Sequence, residues 1–243
     1  MRRATAVAAL GALASLTTSA MALEITFAVD ASRSKLDVNA AAQILVFNFD
    51  DDDEQYLGGL IETRFDFEPN SVFAPIGFEV TSARVTHLAP FQLTLGNFLA
   101  SVDVSVTNAV VDVSTLAPPA PLERTDDEEV VYRFDAAAFE IAIVEGLAEA
   151  TGDLEDSIDF SEMPAVGSAD PETYGFLTFE VTPLDGGDQE IAARLELPID
   201  FIEEVDFQGA TVTLDVDGMV VAHSSFLLAS ADQTADFDGS GVV

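Results

Sequence analysis

Cysteine and tryptophan are absent from these 243 residues, lysine occurs once (Lys35) and tyrosine three times. Each shortage excludes something. Without cysteine there are no disulfides, no thiolate metal ligands and no thiol nucleophile. The chain must hold itself together by burying apolar surface, and it is long enough to do so. Without tryptophan, the aromatic girdles of a membrane-embedded barrel have little to be built from, and Tyr56, Tyr132 and Tyr174 do not recur strand by strand. Basic residues are scarce as well: 9 against 44 acidic, a formal charge of −35. Nucleic acid is a poor partner for such a surface, because phosphate binding needs cationic groups to displace counterions. Anionic membranes are disfavoured for the same reason. The acidity reads as a solubility and salt-tolerance surface ahead of a set of divalent-cation sites, since charge runs mostly mark solvated surface.

Catalytic signatures are equally thin. His87 and His223 show no spacing that suggests a zinc site, and each reads as a strand residue. No Gly-x-Ser-x-Gly elbow, phosphate loop or dinucleotide fingerprint occurs, and Gly58-Gly59 and Gly186-Gly187 read as isolated turn pairs. Paired carboxylates for glycoside hydrolysis stay open as an alternative, but with 44 acids no pair stands out.

The first 22 residues read as a secretion signal. Arg2 and Arg3 precede an apolar run from Ala4 to Leu16, and Ala20-Met21-Ala22 is the small-x-small pattern at which a signal peptidase cuts. Cleavage is expected after Ala22. The apolar run is well short of the ~20 residues a spanning helix needs, and no later stretch is apolar enough to span as a helix. The protein is therefore expected outside the cytoplasm, extracellular or at the cell surface, with the periplasm also open.

From residue 23 to 230 the pattern is that of β-strands. Ile25–Val29 alternates, Asp30–Ser34 is a polar turn, and Leu36-Asp37-Val38 resumes. Ile61, Thr63, Phe65 and Phe67 share one parity while Glu62, Arg64 and Asp66 share the other, the period of two of a strand with one buried face. Between Ile44–Phe49 and that segment, Asp50-Asp51-Asp52-Asp53-Glu54 reads as a solvated turn. Val102, Val104 and Val106 alternate on one parity and Val111 and Val113 on the other, so a bulge or tight turn is expected across Thr107–Val110. Residues 115–129, with three prolines and a run of acids, form the best long-loop candidate. Ala136 to Leu147 reads as a strand, and Glu149 to Ala165 as acidic and irregular with room for a short helix. Tyr174–Val181 and Glu190–Leu197 flank the hairpin turn Asp185–Asp188, and strands at Thr211–Val216 and Val220–Leu228 follow. So many short strands with frequent turn signals predict an all-β antiparallel sandwich or barrel-like domain with Greek-key or meander connections.

The last segment, 231–243, reads as a linker and a calcium loop. In Asp236-Phe237-Asp238-Gly239-Ser240-Gly241-Val242-Val243, oxygen side chains fall at loop positions 1, 3 and 5, glycine at 6 and an aliphatic at 8. Positions 9 and 12 would follow Val243, so the repeat is expected to continue past this chain. The octet resembles the calcium repeat of type I dockerin modules and related EF-hand-like repeats. That resemblance implies calcium held by the side chains of Asp236, Asp238 and Ser240 and by the backbone carbonyl of Val242. It also implies a polysaccharide-associated setting and a cohesin-like domain or a cell-surface glycan as partner. Without the closing acidic ligand, calcium binding is expected to be weak.

The sequence thus predicts a secreted, non-enzymatic β-sandwich binding or structural module carrying a C-terminal calcium repeat. Two alternatives stay open: a polysaccharide-active enzyme such as a glycoside hydrolase, and a β-barrel carrier of an apolar ligand, whose cavity 18 phenylalanines would line. Tyrosines gathered on one flat face would favour glycan binding, buried carboxylates converging in a cleft an enzyme, and an apolar interior the carrier.

Overall fold

The computed structural model of the chain describes residues 22–44, 47–67, 74–96, 101–125, 130–152, 155–168, 173–207 and 210–228. The first six strands are β1 (Ala22–Val29), β2 (Lys35–Ile44), β3 (Phe47–Phe67), β4 (Pro75–His87), β5 (Phe91–Gly96) and β6 (Ser101–Thr115). Within the proline-rich stretch lie two very short strands, β7 (Ala120–Pro121) and β8 (Glu123–Arg124), followed by β9 (Val130–Asp135). A 3-10 turn at Ala136–Ala138, capped by the Asp135 side chain accepting the Ala137 N–H, leads into β10 (Phe139–Gly152). Then come β11 (Asp156–Asp159), β12 (Ala165–Ser168), β13 (Tyr174–Pro183), β14 (Gln189–Phe207) and β15 (Ala210–Leu228). The all-β antiparallel expectation holds. Among the described residues there is no helix long and apolar enough to cross a membrane.

The strands form one antiparallel sheet in the order β11–β10–β6–β4–β3–β1–β15–β14–β13–β9–β8, with β5, β7 and β12 attached to β6, β4 and β10. β1 and β2 share a single lane of that sheet. Both run antiparallel to β3 on one side and to β15 on the other. The turn at Asp30–Ser34 interrupts the lane. There Asp30 Oδ1 accepts from the Ser32 hydroxyl and N–H at 2.7 and 2.9 Å, bonds that hold the Asp30 carboxyl below its ordinary pKa. A buried hydroxyl bridges the gap: Ser34 Oγ donates to the Val221 carbonyl and accepts from the Val221 N–H, both at 2.9 Å. The break in the lane thus leaves the Val221 backbone satisfied.

The sheet folds over on itself around one core. Alternation decides which side chains enter it: on β3 the odd positions Leu57, Ile61, Phe65 and Phe67 are buried. Phe65 stacks on Phe78 of β4, with ring centroids 5.7 Å apart, and meets Phe179 of β13 edge-on at 6.0 Å. Phe78 also touches Phe134 of β9 and Phe139 of β10 at 4.8 and 5.2 Å. These rings join the β3–β4 layer to the β9–β13 layer. A Cβ on Gly175 of β13 would lie 2.1 Å from the Phe134 ring, so only glycine lets that ring seat.

Several sequence expectations change here. The acidic run Asp50–Glu54 is not a turn; it lies inside the 21-residue β3, paired with β2 from Asp37↔Glu54 to Ala41↔Asp50. Gly58-Gly59 is no turn either. Gly59 sits within β3 at φ +138°, where a Cβ would come 2.0 Å from the Arg84 carbonyl oxygen. The irregular stretch from Glu149 contains the end of β10 followed by β11 and β12. The expected phase switch in β6 is present: Asn108 has φ +54°, and the β6–β10 register slips on either side of Glu145.

Phe78→Ala is expected to lower stability by about 3–5 kcal/mol in denaturant titrations, because the cavity it leaves is walled by rings from both layers. Ser34→Ala, which strands the Val221 N–H, is expected to cost about 1–3 kcal/mol in the same assay.

Candidate functional site

The calcium ligands expected at Asp236, Asp238, Ser240 and Val242 lie outside the described residues. Among the described residues no three His, Asp or Glu side chains gather into a metal-holding set. The three tyrosines do not share an exposed face: Tyr132 is buried beside Phe179, while Tyr56 and Tyr174 are exposed on β3 and β13. His223 is an exposed strand residue whose Nε2 lies 3.6 Å from Asp30 Oδ2.

What the fold does bring together is an apolar cavity of about 90 Å³ between the two layers. One wall comes from β2, β14 and β15, through Leu36, Val38, Ala40, Ile199 and Val212. The facing wall comes from β5, β6 and β10, through Leu93, Leu95, Val104 and Ile141, with Ile158 and Phe160 closing one side. Each strand contributes alternate residues, so the lining follows from the same period of two that builds the core. The wall is entirely apolar.

His87, at the end of β4, is the one lining residue with polar side-chain atoms. Its Nε2 accepts the Ala109 N–H at 2.8 Å, which requires that nitrogen to be unprotonated. The proton therefore sits on Nδ1, which donates to the Ala89 carbonyl. Both ring nitrogens are engaged with backbone, so the imidazole presents only carbon to the cavity.

Around this region polar side chains stand in for missing strand partners. β4 pairs directly with β6 at only two positions, Val85↔Val111 and Thr86↔Val110. Beyond them, the Val80 N–H donates to Thr115 Oγ1 at 2.8 Å and the Ala83 N–H to Asp112 Oδ1 at 3.3 Å. β5 has a ladder to β6, and its other margin meets β3 through carboxylates. The Gln92 N–H donates to Asp53 Oδ2 at 2.9 Å and the Thr94 N–H to Asp51 Oδ2 at 2.5 Å. Asp51 and Asp53 share the inward parity of Phe49 and Leu57 and are partly buried, whereas Asp50, Asp52 and Glu54 face solvent. On that outer side Lys35 bridges Asp37 and Glu54, and bonding to Glu54 raises its pKa.

Sequence reasoning passed over both His87 and the Asp51–Asp53 pair. A signal was available: every odd position from 57 to 67 except the glycine is buried, and continuing that parity upstream puts Asp51 and Asp53 on the inner face.

No family model, no curated protein and no solved structure matches the chain.

His87→Phe preserves a ring but removes the acceptor for the buried Ala109 N–H, and is expected to cost about 1–3 kcal/mol in chemical denaturation. His223→Phe, at an exposed ring, is expected to change stability by less than about 0.5 kcal/mol.

Proposed function

We propose that the protein is an exported, non-enzymatic binding module whose β body holds a compact apolar ligand between its two layers. The observation that carries this reading is the apolar cavity, in which even the one histidine keeps both nitrogens turned to backbone. A ligand there finds no hydrogen-bond partner, so only hydrocarbon surface gains by going in. Size narrows the class. Apolar cavities on the order of 150 Å³ stay dry and take benzene; at about 90 Å³ this one suits a single small ring or a short alkyl group. The enzyme alternative draws less support, because the fully buried polar side chains among the described residues are Ser34 and Thr63 rather than carboxylates. Glycan binding draws less because Tyr132 is packed into the core.

The tail adds a tether to this reading. Asp236, Asp238, Ser240 and the Val242 carbonyl are proposed to hold calcium, and the tail to bind a cohesin-like domain or a cell-surface glycan. Support comes from the ligand spacing in the sequence.

Benzene is expected to shift the methyl resonances of Val38, Val104 and Ile141 and to raise the melting temperature, by about 1.4 kcal/mol of stabilisation at tenfold excess over Kd. Ala40→Leu, which fills the cavity from β2, is expected to abolish both responses. Methyl resonances unmoved at saturating benzene, or moved equally in Ala40→Leu, would overturn the reading. For the tail, calorimetry is expected to show weak calcium binding, with Kd on the order of 10⁻⁴ M or higher. That heat should vanish in Asp236→Ala/Asp238→Ala; identical traces from both proteins would remove the tether.

A further inference from the structure

Most of the cavity wall is continuous ladder. β2 pairs with β3 through ten residues and with β15 through nine, and β14 and β15 form a long hairpin. On the other side β6 carries both β5 and β10. Among the described residues two margins of this wall carry no ladder between neighbouring strands. Where β12 lies towards β14, the side chains at the cavity are Ile158, Phe160 and Ile199, and hydrocarbon alone closes the seam. The seam between β3 and β5 is of another kind. Its described hydrogen bonds run from the Gln92 and Thr94 N–H groups to Asp53 and Asp51, with Gln55 Nε2 adding bonds to Asp53 Oδ2 at 3.1 Å and to the Pro90 carbonyl at 3.4 Å.

Resting on the ligand reading above, we infer that the β3–β5 seam is the mouth of the cavity and that Asp51 and Asp53 are its latch. When the seam parts, two carboxylates and two amides exchange each other for water, a near-balanced trade, and the hydrocarbon exposed is confined to Phe91, Leu93 and Leu95 of the short β5. β5 is six residues long, and its inward side chains Phe91, Leu93 and Leu95 are themselves cavity wall. Swinging β5 outward on its β6 ladder therefore opens the interior without disturbing the β14–β15 hairpin. The latch also accounts for two acids at inward positions of β3, between Phe49 and Leu57, where apolar residues would seal the wall for good. Asp51 and Asp53 do not line the cavity, so they govern how fast a ligand passes rather than how tightly it is held.

The test compares the full chain with Asp51→Asn/Asp53→Asn, which keeps side-chain shape and replaces charged acceptors by weaker neutral ones. Amide hydrogen exchange at Gln92 and Thr94 is expected to quicken about tenfold in the variant, while Leu195 and Val220 keep their rates. Benzene association and dissociation, read by NMR exchange, are expected to rise together by a similar factor. Unchanged exchange at Gln92 and Thr94, or acceleration shared equally by Leu195 and Val220, would overturn the latch. So would benzene kinetics that the substitutions leave untouched. Should benzene not bind the unaltered protein, the ligand reading falls, and the amide pattern alone then decides whether the seam opens. If the double variant does not fold, Asp51→Asn alone supports the same comparison, with Thr94 as the reporting amide.

Discussion

The ring contacts of Phe65, Phe78 and Phe139 with Phe134 and Phe179 hold one layer of this protein against the other. With no cysteine to cross-link the chain, burial has to do that work. Placing the rings at this crossing fixes the distance between β3–β4 and β9–β13, and everything further along the strands inherits that spacing. Away from that cluster the same two layers are lined mostly by Val, Leu, Ile and Ala, joined by His87, Phe91 and Phe160, and these do not fill the gap, so a cavity remains. The cavity is in this sense a consequence of where that ring cluster stops.

A sheet that folds over on itself cannot keep a backbone partner for every N–H, because lanes end and strands diverge. Here side chains take over. Ser34 serves Val221, Thr115 serves Val80, Asp112 serves Ala83, His87 serves Ala109, and Asp51 and Asp53 serve Thr94 and Gln92. Each satisfies a donor that would otherwise be left bare at some cost. The substitutes differ in consequence. Ser34 is fully buried, whereas the two aspartates border solvent and can trade their partners for water. Stability and access are thus divided among chemically similar stitches by their exposure.

The legible parts of the fold were those where alternation ran long enough to count. Leu60–Phe67, the phase switch after Val106 and the Asp185–Asp188 hairpin all appear as read. Short strands escaped: β11 and β12 have four residues each, too few to show a period, and their acidic setting resembled loop. The acidic run misled for a different reason. Five consecutive acids look like solvated surface, and for Asp50, Asp52 and Glu54 that is what they are. Strand parity turns the other two inward, and only a facing strand edge with unpaired N–H groups makes a carboxylate tolerable there.

The sequence alone determined that the chain is all-β, that hydrophobic burial must hold it, that its surface is acidic, and which parity of β3 after Leu60 and of β6 faces inward. Those properties are local: composition and a period of two are written in consecutive residues. The tertiary structure decided that β1 and β2 share one lane, that β3 runs unbroken through the acids, and that an apolar cavity lies beyond the Phe65–Phe78 ring cluster. Such features depend on residues far apart in the chain, Asp53 with Gln92 or Ser34 with Val221, meeting only after the sheet has closed. No local pattern encodes a meeting of that kind, because the partner of each polar group is chosen by register and curvature rather than by its neighbours in sequence.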